Sequence, residues 1–481
     1  MIEFGLYGYA MSRFSGCWIG MKCITDNVES SASFMFDPAS QEIVIPKDFD
    51  MPVDGLSIRW PDPPLEQEMR LYNYKINAAR AFTAANNINR LIFNSKKPRF
   101  GIVTTGKAYL DTLQALGDLG IDAGEADRIG LRLLKIGMPW PLEPNIIERF
   151  AEGLKEIVVV EEKRAVIESQ LKEQLYNFEA SKRPRIVGKL NENGEWLFPS
   201  AGELSPAHIT AVIGNRLKPF HISEAITTHL DFLDAKDIAL SNQSTDIERV
   251  PYFCSGCPHN SSTRVPEGSR ASAGIGCHYM ALWMDRSTET FTHMGGEGAN
   301  WIGQAPFTET PHIFANIGDG TYFHSGILAI RAAVAAGVSI TYKILYNDAV
   351  AMTGGQPMDG PLDVATVAKQ LHAEGVQRIA VVSDEPGKYS AETQWPPNIT
   401  LHERHDMNAL QRKLREHTGV SALIYDQTCA AEKRRRRKRG TFPNPPKRTF
   451  INELVCEGCG NCGVTSNCVS VIPKETELGR K

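Results

Sequence analysis

The chain has 481 residues, 42% hydrophobic and 22% charged, with a formal net charge of −4. That length exceeds one ordinary core and sets two or three globular domains, while the slight acidity excludes general nucleic-acid binding. No uncharged apolar stretch reaches the roughly 18 residues of a membrane span, and the opening MIEFGLYGYAMSRFSG has no basic start followed by an apolar run, so the clustered thiols point to a reducing cytoplasm.

Residues 1–35 read as the tail of a larger unit, with SRFSGCWIGMKC as a helix without its partners. Cys17 and Cys23 read there as buried structural thiols, since free cysteine packs like a small hydrophobe. Residues 36–96 form a linker, in which a proline-rich stretch (Pro46, Pro52, Pro61, Pro63, Pro64) leads to an amphipathic helix near 66–86. From Arg99 strands and helices alternate: RFGIVTT, a helix over 109–119, GLRLLKI, a helix over 145–154, EIVVVEE, a helix over 163–176 and RPRIVGK. Such alternation builds a small parallel α/β domain over 97–190. Residues 191–250 look irregular and connecting. A second α/β unit over 251–430 has strands at HIFANI, ITYKILY, RIAVVS and SALIYD, with helices over 322–336, 362–374 and 407–417. The basic run 433–439, within 431–450, reads as a solvated linker or as a docking surface for an acidic partner such as ferredoxin.

Three motifs carry chemistry. Near the C-terminus, Cys456, Cys459, Cys462 and Cys468 stand in CEGCGNCGVTSNC. Thiolates this dense, among glycines that let the backbone wrap a cluster, suit [4Fe–4S] better than a disulfide framework, with a zinc site as the alternative. The second motif is Gly318-Asp319-Gly320, then 26 residues, then Asn347-Asp348, with Thr353-Gly354-Gly355-Gln356 beyond. Glycines after a strand let the backbone approach a phosphate, and the following helix N-terminus offers free N–H groups. Asp319, Asn347 and a backbone carbonyl near Ala349 supply the hard oxygens that Mg²⁺ takes beside phosphates. A lone GDG is also an ordinary strand–turn–helix link; the combination is the pattern of a thiamine-diphosphate-binding domain. The glycine-rich stretch 293–301, with Gly295 and Gly296, reads as a turn or as a wall of that pocket, and Glu297 receives no catalytic role. The third motif is Cys254-x2-Cys257, then Cys277 and Cys429, at the two ends of the same domain. Alone, these thiols could be redox-active or packing groups, and His259 and His278 beside them read as structural rather than ligating.

GDG-x26-ND followed by MTGGQ resembles the 2-oxoacid:ferredoxin oxidoreductases. SRFSGCWIGMKC, RWPDPPLEQE, GIVTTGKAYLD, FCSGCPHN, MGGEGANWIGQAPF, DQTCAAEKRRRRKRG and CEGCGNCGVTSNCVSV resemble phrases of the long, fused bacterial indolepyruvate:ferredoxin oxidoreductases, over essentially the whole chain. The resemblance implies a thiamine-diphosphate-binding α/β fold, a parallel sheet with helices on both faces. It adds a transketolase C-terminal-like α/β domain and a small ferredoxin-like iron–sulfur segment over 451–481. Cys254, Cys257, Cys277 and Cys429 would hold a proximal [4Fe–4S] cluster. The implied activity is oxidative decarboxylation of an aryl or other 2-oxoacid, with coenzyme A taking the acyl group and ferredoxin the electrons. The family's chains are more than twice this length, so the resemblance also implies a piece of the enzyme or one product of a split gene. Residues 1–35 would be the remnant of a pyrimidine-binding domain, Cys468 a ligand of either of two clusters, and the chain a homodimer or a component completed by others. A non-redox thiamine decarboxylase and a non-catalytic electron-transfer fragment remain alternatives.

Overall fold

A computed structural model describes the chain except residues 36, 38–40, 61, 242–250, 359, 361, 448 and 467–469, with backbone alone at 464–466. Pro61, Cys468 and the last part of the expected connecting region therefore lie outside the described residues. The chain divides into two compact units, Met1–Thr245 and Asp246–Lys481. Among the described residues no helix is long and apolar enough to cross a membrane.

The first unit is built on five strands: β1 (Arg90–Asn94), β2 (Phe100–Thr105), β3 (Leu131–Ile136), β4 (Glu156–Val160) and β5 (Arg185–Val187). Their order is β1-β3-β2-β4-β5, with β1 antiparallel to β3 and the other pairs parallel. Alternation along β2 sends Ile102 to one face and Val103 to the other, and both faces are covered, as parallel sheets require. Helices Pro144–Ala151 and Ile167–Leu175 cover the Val103 face. Helix Gly106–Asp118 covers the Ile102 face together with Pro206–Leu217 and Glu224–Ser241, which lie in the stretch expected to be irregular. Ser205 caps the former by accepting from the His208 N–H, Pro206 occupies its first turn, and Ile209, Ile213 and Leu217 are buried against the sheet.

The N-terminal segment also departs from expectation. The helix is Ile2–Ser15, earlier than SRFSGCWIGMKC, and it ends at Gly16, whose φ of 69° and contact with the Leu56 carbonyl admit only glycine. It has partners: Tyr7 and Met11 pack with Ala79, Phe82 and Ile88. Cys17 is half-buried and Cys23 exposed, so neither is the buried thiol expected.

The second unit holds an all-parallel sheet of seven strands: β6 (Arg270–Ala273), β7 (Thr288–Phe291), β8 (Ile313–Gly318), β9 (Ile340–Tyr346), β10 (Arg378–Ser383), β11 (Ile399–Glu403) and β12 (Val420–Asp426). The order is β11-β10-β12-β9-β8-β6-β7. Helices Ile327–Ala336 and Val364–Ala373 pack on one face through Ile330, Val367 and Leu371, and Met407–Arg415 on the other through Leu410 and Leu414. The apolar runs of β8, β9, β10 and β12 lie side by side at the centre. Each fully buried Ile or Leu there contributes about 1.5–3 kcal/mol. Residues 451–481 carry a short helix, Asn461–Ser466, and an antiparallel pair, Glu475–Thr476 with Gly479–Arg480.

Candidate functional site

Parallel pairing sets Gly318 opposite Leu345, so the carboxyl ends of β8 and β9 deliver Asp319 and Asn347 side by side. Asp319 is buried, and its carboxylate accepts three backbone N–H groups: Gly320 at 2.8 Å, Asn347 at 2.8 Å and Asp348 at 2.9 Å. Burial raises its pKa to about 6, against the pull of those three donors. Asn347 is buried too, and its Oδ1 has no hydrogen-bond partner. Buried polar atoms are almost always paired, so an orphaned hard oxygen beside a buried carboxylate fits a divalent cation.

The loop after Asn347 folds back on this turn. Ala349 is buried, Val350 and Gln356 exchange backbone contacts (Val350 N–H to Gln356 O, 2.8 Å), and the Thr353 hydroxyl donates to Gln356 Oε1 at 2.8 Å. A side chain on Gly320 would touch Val350, and one on Gly318 would touch the ring of His278, so both glycines of the GDG turn stand where the backbone is closely approached. Gly354 and Gly355 have φ of 123° and 83°. In the glycine-rich stretch, the space that side chains on Gly295 and Gly296 would need is filled by Ser325 and His293. Glu297 is buried, accepts the Gly295 N–H at 2.7 Å and has its pKa raised by burial. Gly298 has φ of 78° and lies against Tyr342, whose Oη would be 2.7 Å from an added Cβ. Gly298→Ala should therefore cost about 2 kcal/mol of stability. Urea denaturation checks this, and a change within about 0.5 kcal/mol would show that the loop yields.

The first four thiols gather at the same end of the domain. Burial pushes the Cys257 thiol up to about 12, and the nearby thiols of Cys429, Cys254 and Cys277 act in the same direction. Burial raises Cys277 as well, with Cys429 and Cys254 adding to it. Among the described residues no three His, Cys, Asp or Glu side chains already stand at coordinating geometry. His259 and His278 are buried ring against ring, centroids 5.4 Å apart, and burial drives His259 down to about 4 and His278 well below its usual range. Both are neutral packing groups. Of the C-terminal thiols, Cys456 is half-buried and accepts the Gly458 N–H at 3.4 Å, while Cys459 and Cys462 are exposed.

One group of functional interest escaped the sequence, and a second has a structure that the sequence did not suggest. Arg286, buried, donates to the Asn260 carbonyl at 2.8 Å and to Thr263 at 3.2 Å, behind the Cys254–Cys257 turn. The second is the basic run. It is no solvated linker at its start but a helix, Ala430–Lys438, with Cys429 as its N-cap. The Cys429 N–H donates to the Asn347 carbonyl at 2.9 Å, and Arg436 reaches Asp348. Glu432, with Arg435 and Arg436 three and four residues on, was the available signal for a helix.

The family model described as "Indolepyruvate oxidoreductase domain" matches residues 90–239, and that described as "Thiamine pyrophosphate enzyme, C-terminal TPP binding domain" matches 274–385, which contains the GDG and ND turns. In these two regions the chain is similar to indolepyruvate oxidoreductases and to thiamine-diphosphate enzymes. Among curated relatives, "Indolepyruvate oxidoreductase subunit IorA" of Thermococcus kodakarensis is 26% identical over 402 residues, covering 78% of this chain and 55% of the relative. The protein of the same name from Archaeoglobus fulgidus is 27% identical over 384 residues, 77% of this chain and 55% of its own. The chain thus spans about half the length of the curated relatives it matches. A solved 2-oxoglutarate:ferredoxin oxidoreductase from Magnetococcus marinus is 18% identical with a TM-score of 0.30, covering 44% of this chain and 76% of that one, too weak a likeness to carry weight.

Proposed function

We propose that this chain supplies the diphosphate site and the electron outlet of a thiamine-diphosphate-dependent 2-oxoacid oxidoreductase of indolepyruvate or aryl-pyruvate type. The overall change converts a 2-oxoacid anion and coenzyme A to acyl-CoA, carbon dioxide, a proton and two electrons. The electrons leave through [4Fe–4S] clusters to ferredoxin. The observation that carries this reading is the hydrogen bond from the backbone N–H of Cys429 to the Asn347 carbonyl, which places a cysteine of the first group beside the turn holding the orphaned oxygen.

Asp319 and Asn347 would hold Mg²⁺, and Gly318, Gly320, Ala349, Thr353, Gly354 and Gly355 would frame the diphosphate, with Gly295 and Gly296 in the wall. Cys254, Cys257, Cys277 and Cys429 would hold the proximal cluster. Cys456, Cys459 and Cys462 would serve the segment over 451–481, with Cys468 as a further ligand outside the described residues. Thiamine diphosphate supplies the carbanion chemistry that releases carbon dioxide. Residues 97–190 take the part of the transketolase C-terminal-like domain. The chain would act as a homodimer or in an assembly with chains that complete the substrate pocket, and the naming of relatives as subunits supports assembly with other chains.

Metal binding needs Asp319 ionised, and its carboxyl titrates near 6 in the fold against 3.8 as the ordinary value. Between those values the native state holds the proton more tightly than the unfolded chain, so acidification stabilises the metal-free fold while competing with Mg²⁺. Affinity for thiamine diphosphate with Mg²⁺ should hold above about pH 6 and fall up to tenfold per unit below it. Calorimetry across pH checks the slope.

The function is tested by purifying the chain anaerobically and measuring iron, sulfide and thiamine diphosphate binding. Equal iron and sulfide with Mg²⁺-dependent binding is the expected result. Binding without iron or sulfide would favour a non-redox decarboxylase, and a reducible cluster without binding would favour an electron-transfer fragment.

A further inference from the structure

The helix Ala430–Lys438 carries basic residues in excess of what its own acidic residue can neutralise, yet two of its arginines turn inward. Glu432 is buried and accepts from Arg435 Nη1 at 2.9 Å and Arg436 Nε at 3.1 Å. Arg436 then extends to Asp348, with Nη1 on Oδ2 at 2.5 Å and Nη2 on the backbone carbonyl at 3.1 Å. Asp348 has a φ of 60°, a left-handed conformation that Asp adopts more readily than most residues, and Arg436 holds it there through both its carboxylate and its carbonyl. The same inner face meets the TGGQ loop: an added Cβ on Gly355 would fall 2.1 Å from Arg435 Nη1 and 2.8 Å from Glu432 Oε2. At the other end of the helix, its N-cap Cys429 is fastened to the Asn347 carbonyl at 2.9 Å. One nine-residue helix is thus pinned to Asn347 at its start and to Asp348 near its end. Those two residues also donate their N–H groups to Asp319.

We propose that Arg436 is a positioning residue for the cation–diphosphate site and that its helix couples this site to the thiol cluster in both directions. The inference rests on the function proposed above. A guanidinium fork on a carboxylate and its own carbonyl fixes orientation as well as charge, which an ammonium cannot reproduce. Assembly of a cluster on Cys429 would set the N-terminus of the helix, the helix would set the Asn347-Asp348 turn, and that turn would present the oxygens of Asp319 and Asn347. Coupling of this kind is reciprocal: whatever factor the cluster adds to diphosphate affinity, the diphosphate returns to the cluster.

The test uses the full chain, prepared anaerobically, with thiamine diphosphate and Mg²⁺ titrated by calorimetry. Arg436→Gln should weaken binding at least tenfold with iron content unchanged. Arg436→Lys should recover part of the loss. Arg434→Gln, an exposed arginine of the same helix, should bind as the unaltered chain does. Without any thiamine diphosphate, Arg436→Gln should also shift the EPR signal of the reduced proximal cluster. Removing iron from the unaltered chain should lower its affinity in the same direction. Equal affinity of Arg436→Gln and the unaltered chain would overturn the positioning role, and equal affinity with and without iron would overturn the coupling. Failure of the unaltered, iron-loaded chain to bind thiamine diphosphate would instead overturn the proposed function.

Discussion

Replacement of Asp319 by alanine should abolish Mg²⁺-dependent binding of thiamine diphosphate. The carboxylate is the charged oxygen at the joint end of β8 and β9, and without it the cation would keep only neutral protein oxygens. Alanine also strands the N–H groups of Gly320, Asn347 and Asp348, each now donating to Asp319. A buried donor left unpaired costs about 1–3 kcal/mol, so the variant should be less stable as well as unable to bind. Asp319→Asn reduces the second effect: it keeps the shape and one oxygen, which can still accept from Asn347 and Asp348, and strands only the Gly320 N–H while removing the charge. Loss of binding by Asp319→Asn in a chain that is more stable than the alanine variant identifies the carboxylate as a ligand. Full Mg²⁺-dependent affinity in that variant, measured by calorimetry, would rule the site out.

The second large effect is expected at Cys257. Burial and three neighbouring thiols hold it protonated up to about pH 12 when no metal is bound, so it has none of the thiolate character of a redox-active cysteine. Coordination to iron removes that proton outright, and the thiols whose mutual repulsion opposes ionisation become a ligand set. Cys257→Ser should delete one reduced-cluster signal in anaerobic EPR and leave a second, from the segment over 451–481. It should also lower bound iron and sulfide together. An unaltered spectrum would show that the four thiols are packing groups.

The strand–GDG–helix turn was legible from the sequence because strand and glycine turn coincide in one short stretch, and adjacency of β8 and β9 then brings Asp319 to Asn347. β6 (RASA), β7 (TETF) and β11 (ITLHE) were not legible. They are short, and small or polar, and become strands only because each finds a parallel neighbour already in place. Glu224–Ser241 was missed for a related reason: only Ile226 and Leu230 of its residues are buried, so its apolar stripe is too sparse to stand out. The basic helix was hidden by its own composition. A run of like charges reads as solvated until Glu432 is paired with Arg435 and Arg436, and the target of Arg436, Asp348, is 88 residues away in the chain.

The strand order of the second unit also dictates when its parts can assemble. β12 is inserted between β9 and β10, with Val420 beside Ile340 and Ser421 beside Arg378, although both neighbours are made earlier. On the ribosome, β9 and β10 must wait with open edges until β12 emerges, a state prone to pairing with other chains. Cys429 follows β12 by three residues, and the helix that bears Arg436 comes next. The last thiol of the first group therefore enters only as the sheet closes. A cluster held by the four thiols proposed above would meet only three of them on the unfinished sheet, so its insertion would be a late step that follows folding of this unit.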